Sequence, residues 1–148
     1  MALTQIQPDL FLGWAEADDY DPEYAPTANS FDTITYSVQS GLYRRVDDLV
    51  FVSGRLTTSA LTVGSGTGLR VTLPFTVDAV SGGGLTIGNR TDFTTNPDAM
   101  RTVPGSALAI LLKRATFDAD DATMDESDLA TGSGKNVLFF SGWYVTSD

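Results

Sequence analysis

Carboxylates are the side chains of this sequence with the most chemistry to offer. Asp118, Asp120, Asp121, Asp125, Glu126 and Asp128 crowd into one segment. Hard cations such as calcium are held by several carboxylate oxygens, and the helix-loop-helix calcium loop wants Gly at its sixth position and Glu at its twelfth. Counted from Asp118 those positions hold Thr123 and Leu129. The template fails, and the segment reads as a solvated acidic loop with no metal. Paired carboxylates also carry out glycoside hydrolysis, which needs an acid and a base or nucleophile at a fixed separation. With 19 Asp and Glu in the chain, pairs arise by chance, and no motif sets one in a cleft. The run Gly64-Ser65-Gly66-Thr67-Gly68 has the glycines of a phosphate loop but lacks its Lys-Ser/Thr ending and the helix that follows. It reads as a turn. These residues predict no enzyme and no cofactor.

The chain has 0 Cys and 0 His. That removes disulfide scaffolds, zinc sites, cysteine nucleophiles and histidine-based triads together. Trp14, Tyr20, Tyr24, Trp143 and Tyr144 have rings that stack on sugars, yet in a strand such residues more simply fill a core or a subunit interface. Arg44 and Arg45 stand beside Asp47 and Asp48. Exposed ion pairs among them are worth about 0–1 kcal/mol, and one of two adjacent arginines in a strand must point away from the other.

The elements that position these groups are strands. From Phe31 the pattern has period two, with Ile34, Tyr36 and Val38 on one side and Thr33, Thr35 and Ser37 on the other. This predicts a strand from Ile34 to Val46, a turn at Asp47-Asp48 and a return over residues 49–56. Asp accepts the backbone conformations a two-residue connection demands, though less readily than Asn-Gly. Further strands are expected at 57–63, at 69–73 up to Pro74, around Gly82-Gly83-Gly84, near Phe93 and at 107–113. The last, at 137–146, is apolar on both parities and therefore central or at a subunit contact. Short strands with frequent turns and no amphipathic helix predict an all-β antiparallel sandwich, with residues 1–32 as an irregular N-terminal arm and 33–148 as the β domain. The arm holds Leu10, Phe11 and Trp14. It is either a short strand and loop packing on its own sheet, or an extension that anchors on a neighbour through its aromatic residues.

A formal charge of −10 repels phosphate backbones, so no nucleic-acid partner is expected. The first basic residue is Arg44, so no secretory signal is expected. No apolar run approaches the roughly 20 residues that cross a bilayer, so no membrane partner is expected either.

Gly41, Tyr43, Arg45, Val46 and Val50, then Leu73-Pro74-Phe75, then Ser141-Gly142-Trp143-Tyr144 resemble a module of tailed-phage virions. Its hairpin reads Gly-x-Tyr-x-Arg-Val/Ile-Gly-Asn-x-Val; here Asp47-Asp48 replaces Gly-Asn, which leaves the turn type open. The resemblance spans about residues 33–146. It implies a jelly roll that assembles as a homotrimer, either as a capsid-decorating (cement) protein contacting the major capsid protein or as a fibre tip recognising a host surface glycan. With no coiled coil or Gly-X-Y stalk after Met1, the capsid exterior is the expected location. Interface candidates are Leu10, Phe11, Trp14, Tyr43, Arg45, Trp143 and Tyr144.

Overall fold

The computed structural model describes residues 15–27, 31, 33–114 and 120–148. Leu10, Phe11, Trp14, Phe117 and Asp118 therefore lie outside the described residues. The fold grows from a hairpin whose arms are β3 (Thr33–Val46) and β4 (Leu49–Thr62). β-branched and aromatic residues fill both arms, as a pleated, half-buried surface favours. Asp47 takes a left-handed φ of 52° while Asp48 does not, which excludes the I′ turn that needs both. β4 runs unbroken to Thr62, so the expected separate strand at 57–63 is the far half of the same arm. Tyr36 sits at register shifts opposite β4, and such bulges let so long a ribbon bend.

Around this hairpin the chain lays β1 (Ala15–Tyr20), β2 (Tyr24–Ala25), β5 (Arg70–Thr72), β6 (Gly83–Thr91), β7 (Ala99–Thr102), β8 (Leu108–Lys113), β9 (Ala122–Thr123) and β10 (Lys135–Val145). A single 3-10 turn, Glu126–Asp128, is the helical element among the described residues. The strands form one continuous antiparallel sheet in the order β1-β3-β4-β10-β6-β7-β8-β5-β2, with β9 beside β8. β10 lies between β4 and β6, the central place its two apolar faces predict.

The sheet curls so that β2, at one end, reaches back to β3 and β10. Tyr24 of β2 donates its N–H to the Tyr36 hydroxyl of β3 at 2.9 Å and its own hydroxyl to the Asn136 carbonyl of β10 at 2.8 Å. One face is thereby turned inward around Val50, Val52, Leu56, Val71, Leu85, Met100, Leu111, Leu138, Phe140 and Tyr144. Burying such side chains stabilises a fold by about 1.5–3 kcal/mol each. The described part of the first 32 residues belongs to this sheet: β1 pairs along β3 and β2 along β5. Of the two readings of the arm, residues 15–27 follow the one that packs on its own domain.

Two local expectations are corrected. The strand expected near Phe93 lies at Ala99–Thr102 instead; Phe93 meets the Tyr24 ring edge-on at 6.4 Å. In the segment 77–80 only Val77 pairs, as a lone bridge to Thr146. There the Asp78 carboxylate accepts N–H bonds from Ser81 and Val80, which hold its pKa below the usual carboxylate range.

Candidate functional site

Alternation decides which side of the sheet each candidate faces. Tyr43 and Arg45 of β3 turn toward a cluster at the hairpin end of the core. The Arg45 guanidinium lies over the Phe75 ring, 5.0 Å from its centroid, and Tyr43 meets the same ring edge-on at 5.0 Å. Arg45 Nε donates to the main-chain oxygen of Asp47 at 2.8 Å, and its Nη2 donates to the main-chain oxygen of Asp148. No ion pair joins Arg44 or Arg45 to Asp47 or Asp48 among the described residues, so that expectation is corrected. Pro74 places Phe75 where its N–H donates to the Tyr144 hydroxyl at 3.1 Å. Thr76 N–H bonds the Asp148 carboxylate at 2.7 Å, and the Thr146 hydroxyl bonds the Thr76 carbonyl at 2.8 Å. Three separate sequence motifs thus close on one phenylalanine.

Burial pushes the Tyr144 hydroxyl up to about 12. The hydroxyl of Tyr43 donates to Glu16 Oε1 at 2.8 Å, and this bond raises its titration point. Tyr144 is completely buried in its own chain's core. Its expected interface role is therefore corrected. Tyr24 is buried as well, stacked on Tyr36 at 6.2 Å, and neither ring is open to a sugar.

The opposite, outer face carries the exposed apolar residues. Leu42 is 60% exposed, Phe51 47% and Trp143 48%. In register, Ala17, Arg44, Phe51 and Trp143 form one row across β1, β3, β4 and β10. Asp19, Leu42, Ser53 and Ser141 form the next row, and Ser40, Arg55 and Phe139 the one beyond. Arg55 stacks on Phe139 at 4.7 Å. A trough of about 720 Å³ crosses these rows, with Asp19, Asp21, Gln39, Arg55 and Phe139 in its walls. Sequence reasoning named Trp143 but missed Leu42 and Phe51. The available signal was Val50-Phe51-Val52, apolar on both parities although only one side of β4 faces the core.

The acidic segment is not wholly solvated. Glu126 and Asp128 are buried, which corrects the expectation of a solvated loop. Glu126 Oε2 accepts the Gly64 N–H at 2.7 Å, Asp125 Oδ1 accepts the Gly68 N–H at 3.1 Å, and Glu126 N–H bonds the Gly66 carbonyl at 3.0 Å. The Gly64-Ser65-Gly66-Thr67-Gly68 turn is therefore clasped by carboxylates. A Cβ on Gly66 would stand 2.1 Å from Glu126 Oε1, so any other residue there must displace the buried carboxylate. Burial alone would push Asp128 up, but the Lys113 ammonium at 2.5 Å and the Asp125 N–H hold it below the usual value. Among the described residues no three acidic side chains converge as a metal site.

No protein-family model and no curated protein sequence matches the chain. The fold is similar to part of a solved structure, the crystal structure of the Dettilon tailspike protein, with a TM-score of 0.63 and 16% identity over 88% of this chain. The chain corresponds to 23% of that tailspike's length. At this identity the likeness is one of fold: the same all-β, antiparallel, curled architecture.

Proposed function

We propose that the chain is a non-enzymatic structural protein of a tailed-phage virion. In this reading it is a jelly-roll module that assembles as a homotrimer and docks on the major capsid protein at the exterior of the shell. The observation that carries the reading is the outer face of β3, β4 and β10, where Leu42, Phe51 and Trp143 stand exposed with Arg44 between them and the edge strand. Tryptophan and arginine around a desolvated centre are typical of protein contacts that dominate binding energy. The fold likeness to part of a phage tailspike supports the virion setting. Contacts that form only on the assembled shell stabilise that shell by mass action, without chemistry. A surface of net charge −10 keeps particles apart and disfavours nucleic acid as a partner. The test is co-sedimentation of purified protein with empty capsids, with a thermal scan of the shells. Bound protein and raised shell melting are expected; protein left in the supernatant overturns the reading.

A second reading has its own support. The neighbour in fold is a tailspike, and the trough holds an arginine-stacked Phe139 beside Asp19 and Asp21. A fibre tip that binds a host surface glycan through that trough accounts for both. A glycan array separates the two: selective binding, lost in Arg55→Ala, favours the tip, and a blank array favours the shell.

A further inference from the structure

The outer face needs an occupant, and the chain itself carries a suitable one. Residues 1–14 contain one charged side chain, Asp9, and hold Leu10, Phe11, Leu12 and Trp14 in the five positions before Ala15. In a chain of net charge −10, this nearly neutral segment is the part that approaches another copy at least electrostatic cost. Ala15 pairs with Val46, the last residue of β3. β1 therefore begins at the Asp47-Asp48 end of the sheet, and its strand direction traced back from Ala15 points away from its own outer face. Five extended residues reach about 17 Å, more than the roughly 14 Å that separates β1 from β10 at the usual strand spacing. Reaching its own Phe51 would require the chain to double back at once.

We infer that residues 10–14 of one subunit lie across the outer face of the next, with Phe11 and Trp14 packed against Leu42, Phe51 and Trp143. This inference rests on the assembly reading above and names the contact that holds the subunits.

The absence of cysteine makes a clean test. Full-length Phe11→Cys and Leu42→Cys variants are co-expressed, oxidised and run on a non-reducing gel. A covalent dimer containing one copy of each is expected. Phe11→Cys with Val80→Cys is the control, because Val80 is exposed but belongs to none of the strands that form the outer face. A double variant that closes only within one chain, no link at all, or equal linkage to Val80 overturns the inference. Light scattering on the full-length native chain and on Phe11→Ser/Trp14→Ser adds the second readout. The native chain is expected to be oligomeric and the variant to lose that state. An oligomeric native chain without the Phe11–Leu42 link defeats the arm contact and leaves the assembly reading standing. A monomeric native chain defeats both.

Discussion

Arg45 lies over Phe75 with its guanidinium 5.0 Å from the ring centroid, joining the central hairpin to the residue after Pro74. A cation above an aromatic face contributes about 0.5–1 kcal/mol where water still reaches it. Here the same guanidinium also ties down the main-chain oxygens of Asp47 and Asp148. One side chain thus couples the hairpin turn to the end of the final strand. Phe75→Ala is expected to lower stability by about 2–3 kcal/mol, less than a fully buried phenylalanine costs because the ring is only half-buried. Arg45→Met is expected to lose about 1–2 kcal/mol. Urea midpoints measure both, and the double variant should lose less than the sum, since the two residues act on one contact.

Gly41 and Gly54 face each other across β3 and β4, flanked in register by Tyr20 and Phe140. The two rings fold over the glycines, so that a Cβ on either would stand 2.3 Å from ring carbon. Gly54→Ala is expected to cost about 1–3 kcal/mol through overpacking. Gly54→Ala combined with Phe140→Leu should recover part of that loss relative to the two changes added. A purely additive result in chemical denaturation would show that the ring and the glycine do not share the space.

Alkaline stability follows from the buried tyrosines. Burial pushes both Tyr36 and Tyr144 up to about 12, well above the usual phenol value. The folded state therefore favours the neutral phenol. The corresponding stability is fully present below pH 10 and is lost as pH rises toward 12. Melting temperature should stay flat to about pH 10 and then fall. Tyr144→Phe should flatten part of the fall. A fall of unchanged steepness would mean that Tyr144 does not carry it.

Lys113 and Asp128 give the acid counterpart. The Asp128 carboxyl is held below the usual carboxylate range, so its stabilisation is present above that range and lost as pH drops through the lowered value. Lys113→Met leaves Asp128 buried without its cation, at a cost of about 1–3 kcal/mol near neutrality. Acid unfolding of the variant should begin at higher pH than in the native chain. Circular dichroism against pH reads this directly, and coincident acid transitions would contradict it.

The outer face is separable from the fold. Phe51→Ser and Trp143→Ser remove exposed rings, and exposed changes usually shift stability by no more than about 0.5 kcal/mol. Melting should barely move, while sedimentation should show loss of self-association and of capsid binding. Retained association with both rings removed would place the contact elsewhere.

Much of the architecture could be read from local chemistry. Period-two alternation from Thr33 to Val46 marks one strand, Asp47-Asp48 marks the turn, and the two apolar parities of 137–146 mark a strand with neighbours on both sides. These features depend on residues near each other in the chain, where steric preference and burial act together. Alternation also required Arg44 and Arg45 to part company, but not which of them meets Phe75. Other decisions belonged to contacts far apart in sequence. Glu126 is buried because Gly64 and Gly66, some 60 residues earlier, offer an N–H and an absent side chain; nothing within 118–128 distinguishes it from its solvated neighbours. β7 sits at Ala99–Thr102 because β6 and β8 flank it there, although Phe93 carries the stronger local strand preference. Tyr144 and Trp143 differ by one position in an apolar run, and only the curl of the sheet turns the first into core and leaves the second exposed. Backbone preference is a local energy and is written along the chain, whereas burial is decided by which strand lies opposite.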